Sequence, residues 1–250
     1  GMLKATLRWL AELSSSKKYP YSGVRLPDGK ELTWKEWNDK IQANFEKYFY
    51  VPRPTDVSPS EPNYFVIDKH VVHKRGIYKD TYGSTHVWTD YQLRPNFLIT
   101  MTIAPELFSP DRARTALDMV KKYLVGPLGM RTLDPGDKQY RPYYDAGRDS
   151  DDYFTAKGFN YHQGPEWVWP FGFYIRALIR FYKDVMNPLT LANMIHGLLR
   201  HHREAIRSSD WRGLPELTNL NGAPCWSSCP TQAWSSASIL HAIDEVNRMT

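Results

Sequence analysis

The sequence predicts an all-α fold, built from antiparallel helix pairs arranged as an αα-hairpin toroid or part of one. Three observations lead there. Polar, aromatic loops run into apolar helices near residues 96, 166 and 231, at intervals of about 65–70 residues. Amphipathic helices near residues 110 and 188 stand between them. The stretch from Gly158 to Tyr182 shows the pattern most strongly, because its loop enters a segment apolar almost all the way round. A helix with no face for water belongs inside the molecule. If the inner helices run parallel, their preceding loops gather at one end and form one cleft.

In chain order, Leu3, Leu7, Leu10 and Leu13 give helical spacing until Ser14–Ser16 end it. Pro27-Asp28-Gly29 marks a tight turn and a short hairpin. Thr33 with Glu36 forms a capping box, so a helix runs over about 33–49, with Trp34, Trp37, Ile41 and Phe45 on one face. No period holds over 51–89, where four prolines between 52 and 62 read as an irregular surface excursion. Phe97–Ala104 fits strand or buried helix by periodicity; Pro95 and the lack of other strand signals favour helix. Ser109-Pro110-Asp111 starts an amphipathic helix that Gly126 closes. Residues 125–157 read as a long ordered loop rich in Asp and Tyr, without the spacing of a calcium loop. Asn187-Pro188 caps one helix that carries Leu191, Ile195, Leu198 and His202 on one side. Pro230 starts the last helix. About seven helices are expected over 1–250, as a portion of a single domain.

Composition excludes several functions. The net charge of +5 comes from Lys and Arg scattered among 27 acids, which reads as a solvated surface, with no nucleic-acid footprint. No secretory signal or membrane-length apolar run is visible, so the expectation is a cytoplasmic chain with no membrane partner. Cys225 and Cys229 lack further ligands and read as free thiols; the His residues at 70, 73 and 86 are poorly spaced for a metal. No metal and no cofactor are expected. Aromatic residues make up 14% of the chain, enough to supply sugar-stacking faces beyond a core, although core packing accounts for them equally well.

Three carboxylates fall in the converging loops: Asp90, Glu166 and Glu216. Glycosidic hydrolysis needs two carboxyl groups, one protonating the leaving oxygen and one activating water or attacking carbon. No Gly-x-Ser-x-Gly elbow or phosphate-cradling glycine loop competes with that chemistry. Each acid also has a structural reading, as a cap or an arginine partner. That reading is strong for Glu166 at a helix N-terminus and weaker for Glu216 beside Pro215.

Several ordered motifs then match a family. Asp90-Tyr-Gln-Leu-Arg-Pro-Asn-Phe97, Asn160-Tyr-His-Gln-Gly-Pro-Glu-Trp-Val-Trp-Pro170, Gly213-Leu-Pro-Glu-Leu-Thr-Asn219 and Ser228-Cys-Pro-Thr-Gln-Ala-Trp-Ser235 closely resemble the C-terminal amylo-α-1,6-glucosidase region of eukaryotic glycogen debranching enzymes. His73–Asp80 and Gly126–Asp134 extend the resemblance over nearly the whole chain. It implies an (α/α)6 toroid, of which this chain resembles the C-terminal part, acting with inversion on the α-1,6-linked glucose at a glycogen branch. In that scheme Glu216 is the general base. The resemblance implies a substrate-binding set of Asp90, Arg94, Asn96, His162, Glu166, Trp167, Trp169, Asn219, Gln232 and Trp234. The family's general acid lies in a Gly-Thr-Trp-Met-Asp-like motif before the matched region, and no such motif occurs in this sequence. The implied partner is glycogen or another branched α-glucan, with self-association expected if the toroid is incomplete. Two alternatives stay open: a non-catalytic glucan-binding module, and a self-sufficient hydrolase pairing Asp90 or Glu166 with Glu216.

Overall fold

The computed structural model describes residues 1–145, 147 and 160–249. Its helices are α1 (Met2–Ser15), α2 (Trp34–Phe49), α3 (Val87–Asp90), α4 (Phe97–Ile103), α5 (Pro110–Tyr123), α6 (Trp169–Tyr182), α7 (Pro188–Leu198), α8 (Arg200–Ser208) and α9 (Ala233–Met249). None of them is long and apolar enough to cross a membrane. Short strands complete the described structure. The hairpin β1 (Gly23–Arg25) and β2 (Glu31–Thr33) is the one expected around Asp28-Gly29. A second pair joins β3 (Tyr50–Val51) to β4 (Ile77–Tyr78). A four-stranded antiparallel sheet runs β5 (Met130–Arg131), β6 (Glu166–Trp167), β7 (Leu217–Asn219), β8 (Ala223–Pro224).

The core forms around α6, as its composition dictates. Phe171, Tyr174, Ile175, Ala177, Leu178, Ile179 and Phe181 are all buried, and the helix packs against α9, α4 and α5. Its crossing with α9 is close because residue 172 is glycine. A methyl group there would stand 2.3 Å from the Ser238 carbonyl oxygen. Arg176 and Glu245 close the same crossing with a 2.6 Å ion pair. Much of the aromatic content serves this core: Tyr50, Tyr78, Phe97, Phe108, Phe171, Tyr174 and Phe181 are buried together. Tyr50 and Tyr78 satisfy their hydroxyls on Asp56 and Glu46, as buried phenols must.

Several expectations need correction. The chain is helix-rich but not all-α, because eight short strands occur among the described residues. Strands of two or three residues are too short to display a two-residue hydrophobic period. The segment after Asn187 is two helices: the Asn187 side chain caps it as expected, but the backbone leaves the helix at Leu199. The Val87–Asp90 turn adds another, giving nine α-helices among the described residues where about seven were expected. Ser109 precedes α5 without making a side-chain cap, and α5 ends at Tyr123, before Gly126. The last helix starts at Ala233, three residues after Pro230, because the Gln232 amide bonds the Leu214 carbonyl before the helix begins. Gly158, Phe159 and most of the acidic stretch within 125–157, including Asp149, Asp151 and Asp152, lie outside the described residues.

Candidate active site

The loops that precede α4, α6 and α9 are joined to one another. Arg94, just before α4, donates from Nη1 to the carbonyls of Thr132 and His162, and from Nη2 to Oε1 of Gln163. Its Nε and Nη2 also reach Gln92 Oε1. Strand β6 in the second loop pairs with β7 in the third, with Glu166 opposite Thr218 and Trp167 opposite Leu217. Val168 then donates its backbone N–H to the Glu216 carbonyl at 3.2 Å, directly before α6. Trp169 and Trp234, at the starts of α6 and α9, stack with ring centres 4.2 Å apart and an interplanar angle of 15°. Trp234 remains 51% exposed, so this aromatic pair presents a face to solvent.

Glu216 stands between Pro215 and β7, half-buried, at the junction of the second and third loops. Its backbone is held at both ends: its N–H donates to Cys229 O at 3.0 Å, and its carbonyl accepts from Val168. One carboxylate oxygen, Oε1, accepts the Tyr161 hydroxyl at 2.9 Å and the Gln232 amide at 3.3 Å. Gln232 is itself oriented, since its Oε1 accepts the Ser235 hydroxyl. The other carboxylate oxygen, Oε2, makes no hydrogen bond to any described residue. Two donors on one oxygen fix the plane of the carboxylate and leave the second oxygen for a water or a hydroxyl.

Tyr161 is held by its surroundings as firmly as it holds Glu216. Its ring lies 4.8 Å from Tyr144 and 4.9 Å from Trp167, and its carbonyl accepts the Trp167 indole N–H at 3.0 Å. His162 joins the same cluster, its ring 5.0 Å from Trp167 and 4.6 Å from Tyr161. Burial, and then the Glu216 carboxylate, push the Tyr161 hydroxyl well above its ordinary value, so it acts as a donor. Burial and the neighbouring Arg94 lower His162, so its ring is neutral near pH 7. Tyr161 and Tyr144 are absent from the residue set implied by the sequence. The first sits inside the Asn160–Pro170 motif, next to His162; the second occupies a tyrosine-rich loop with no motif.

The other expected site residues are placed differently. Glu166 is fully buried and faces away from this cluster. Its Oε1 accepts Asn221 N–H at 3.1 Å and pairs with Arg131 at 3.4 Å, while Oε2 accepts Gly222 N–H at 3.0 Å. Asn221 and Gly222 both have positive φ, 57° and 77°, so their successive N–H groups form a concave nest around the carboxylate. A methyl on Gly126 would come within 2.3 Å of Oε2, which shows how little space surrounds it. Burial is the largest influence on Glu166 and raises it, against the opposing Arg131 charge and the two amides. The Asn221-Gly222 pair is a hairpin signal between β7 and β8 that the sequence reading passed over.

Asp90 is likewise buried, accepting Thr81 Oγ1 and the amides of Gly83 and Ser84. Burial pushes it up, but the Ser84 and Thr81 hydroxyls with those amides outweigh burial and hold it below its ordinary value. Asn219 clamps the Tyr144 backbone through both ends of its amide, at 2.9 and 3.1 Å. Asn96 is exposed and donates to Asp80 at 2.7 Å. Neither Asp90 nor Glu166 hydrogen-bonds into the Glu216 cluster. The structure thus brings together Glu216, Gln232, His162, Trp167, Trp169 and Trp234, makes Arg94, Glu166 and Asn219 fastenings of the loops that carry them, and leaves Asp90 fastening its own 81–84 segment. No group of three metal-ligating side chains occurs among the described residues.

The family model described as amylo-alpha-1,6-glucosidase matches residues 1–241. The glycogen debranching enzyme of Saccharomyces cerevisiae is 47% identical over 251 aligned positions, covering 96% of this chain and 16% of the yeast protein. The chain therefore spans about one sixth of that relative's length. Its sequence motifs and the match over nearly its whole length agree: the chain belongs to the amylo-alpha-1,6-glucosidase family.

Proposed function

We propose that this chain is the C-terminal part of an (α/α)6-toroid glucosidase that hydrolyses the α-1,6-linked glucose at glycogen branch points with inversion, using Glu216 as general base. The observation that carries this reading is the Glu216 carboxylate, held on one oxygen by Tyr161 and Gln232 while its other oxygen has no partner among the described residues. In the reaction, Oε2 accepts a proton from a water as that water's oxygen attacks the anomeric carbon. The C1–O6 bond breaks, and the leaving oxygen takes a proton from a general acid. That acid is an aspartate supplied by a segment of the longer protein preceding this stretch. This assignment is supported by Asp90 and Glu166, whose carboxylates are committed to loop amides away from Glu216. Trp169 and Trp234 present a stacking face to the glucose or its branch, with His162, Trp167 and Gln232 as further binding residues. Arg94, Glu166, Asn219, Asn96 and Asp90 act indirectly, by keeping the loops in place.

The test is Glu216→Gln in the intact protein, assayed by glucose release from a singly branched α-1,6-glucosyl oligosaccharide. Turnover is expected to vanish while glucan binding persists. Unchanged turnover removes Glu216 as base. Assaying the 250-residue chain beside the intact protein tests the origin of the acid: comparable rates would return Asp90 and Glu166 to candidacy.

A further inference from the structure

A cleft of about 450 Å³ opens between the 70–73, 87–90 and 136–138 segments, with Trp88, His70, His73, Asp137 and Lys138 on its walls and Val71 among them. Trp88 is 43% exposed. The Trp88 indole N–H, the His70 ring and the Lys138 ammonium form no hydrogen bond or ion pair with any described residue. Asp137, by contrast, is firmly placed: its Oδ2 accepts Gln92 Nε2 at 3.1 Å and its Oδ1 accepts the Gln139 amide at 2.8 Å. Gln92 is in turn gripped by Arg94, which donates to the His162 carbonyl. A continuous hydrogen-bonded path, Asp137 to Gln92 to Arg94 to His162, therefore ties this cleft to the loop that carries Tyr161 and the Glu216 site.

We propose that this cleft is a second α-glucan subsite, taking a glucose unit of the chain that carries the branch. The inference rests on the Glu216 reading above. The Trp88 indole, stacked with His86 at 6.0 Å between ring centres and set beside donors that no described residue engages, suits a pyranose ring, which is apolar on its C–H faces and hydroxylated at its edge. A purely apolar ligand would strip water from His70 and Lys138 without replacing those hydrogen bonds. An anionic ligand would meet the Asp137 carboxylate in the same lining. A neutral polyhydroxylated chain meets neither objection. The path through Gln92 and Arg94 joins the subsite to the loop that carries Tyr161.

The test is calorimetric titration of a linear α-1,4-linked malto-oligosaccharide into the intact protein carrying Glu216→Gln, which keeps the measurement free of turnover. Adding Trp88→Ala is expected to weaken binding about tenfold, and adding Lys138→Ala about threefold. Both side chains are on the surface, and an unchanged thermal melt confirms that the fold is kept. Binding by both variants as tight as that of the parent overturns the subsite, and so does a parent with no affinity for the linear glucan. The two readings fail separately: glucose release by the Glu216→Gln protein removes the base, whereas loss of the Trp88 effect removes only the subsite.

Discussion

Replacing Tyr161 with Phe removes one oxygen atom and leaves the packing of its ring against Tyr144 and Trp167 in place. The lost hydroxyl is the nearer of the two donors on Glu216 Oε1, at 2.9 Å against 3.3 Å for Gln232. A hydrogen bond to a charged group contributes about 1.5–3 kcal/mol. With Gln232 as the remaining donor, the carboxylate plane loosens and the ionised form loses its stronger support. If that contribution is realised in the transition state, kcat in the intact enzyme falls by about 10–100-fold, with KM for a singly branched oligosaccharide changing far less. The assay is glucose release, wild type beside variant. A kcat within twofold of wild type would refute the positioning of Glu216 by Tyr161.

Two further predictions concern the scaffold. Gly172→Ala puts a methyl 2.3 Å from Ser238 O and 2.5 Å from Ser238 C, backbone atoms that cannot retract without moving α9. A loss of about 1–3 kcal/mol in urea unfolding is expected, and unchanged stability would contradict the close crossing. His202 is buried, donates from Nε2 to Leu128 O at 2.7 Å, and is lowered by burial to about 4. The unfolded chain takes up this proton near pH 6.5, whereas the folded chain does so only near pH 4. Stability is therefore complete above pH 6.5 and declines by about 3 kcal/mol as the pH falls through that window. His202→Gln keeps a donor but does not titrate. The stability difference between wild type and variant should shrink on going from pH 7 to pH 4, and a constant difference would exclude His202 as the source.

Several elements were legible because their signals are local. The Thr33–Glu36 capping box forms as read, with both reciprocal bonds in place. The all-round apolar pattern of Phe171–Phe181 correctly places that helix at the centre of the core. The gathering of the 90–96, 160–168 and 213–232 loops was also inferable, because a repeated order of polar loop and apolar helix implies a common end. The β5–β8 sheet was not, since its strands are too short for their pairing to leave a pattern. The division of labour among the acids was equally hidden. Glu166 and Glu216 are both carboxylates beside Trp or Pro in aromatic loops, and nothing in either local sequence states which one meets a nest of backbone amides.

What the sequence determined by itself is the helical framework, the buried core helix, the family and the small group of loops that build the candidate site, because periodicity, capping and motif are properties of neighbours along the chain. What only the tertiary structure decided is which acid is consumed and which is kept available. Burial and hydrogen-bond partners come from residues distant in sequence: Arg131, Asn221 and Gly222 occupy Glu166, while Tyr161 and Gln232 take one oxygen of Glu216 and leave the other free of the described protein.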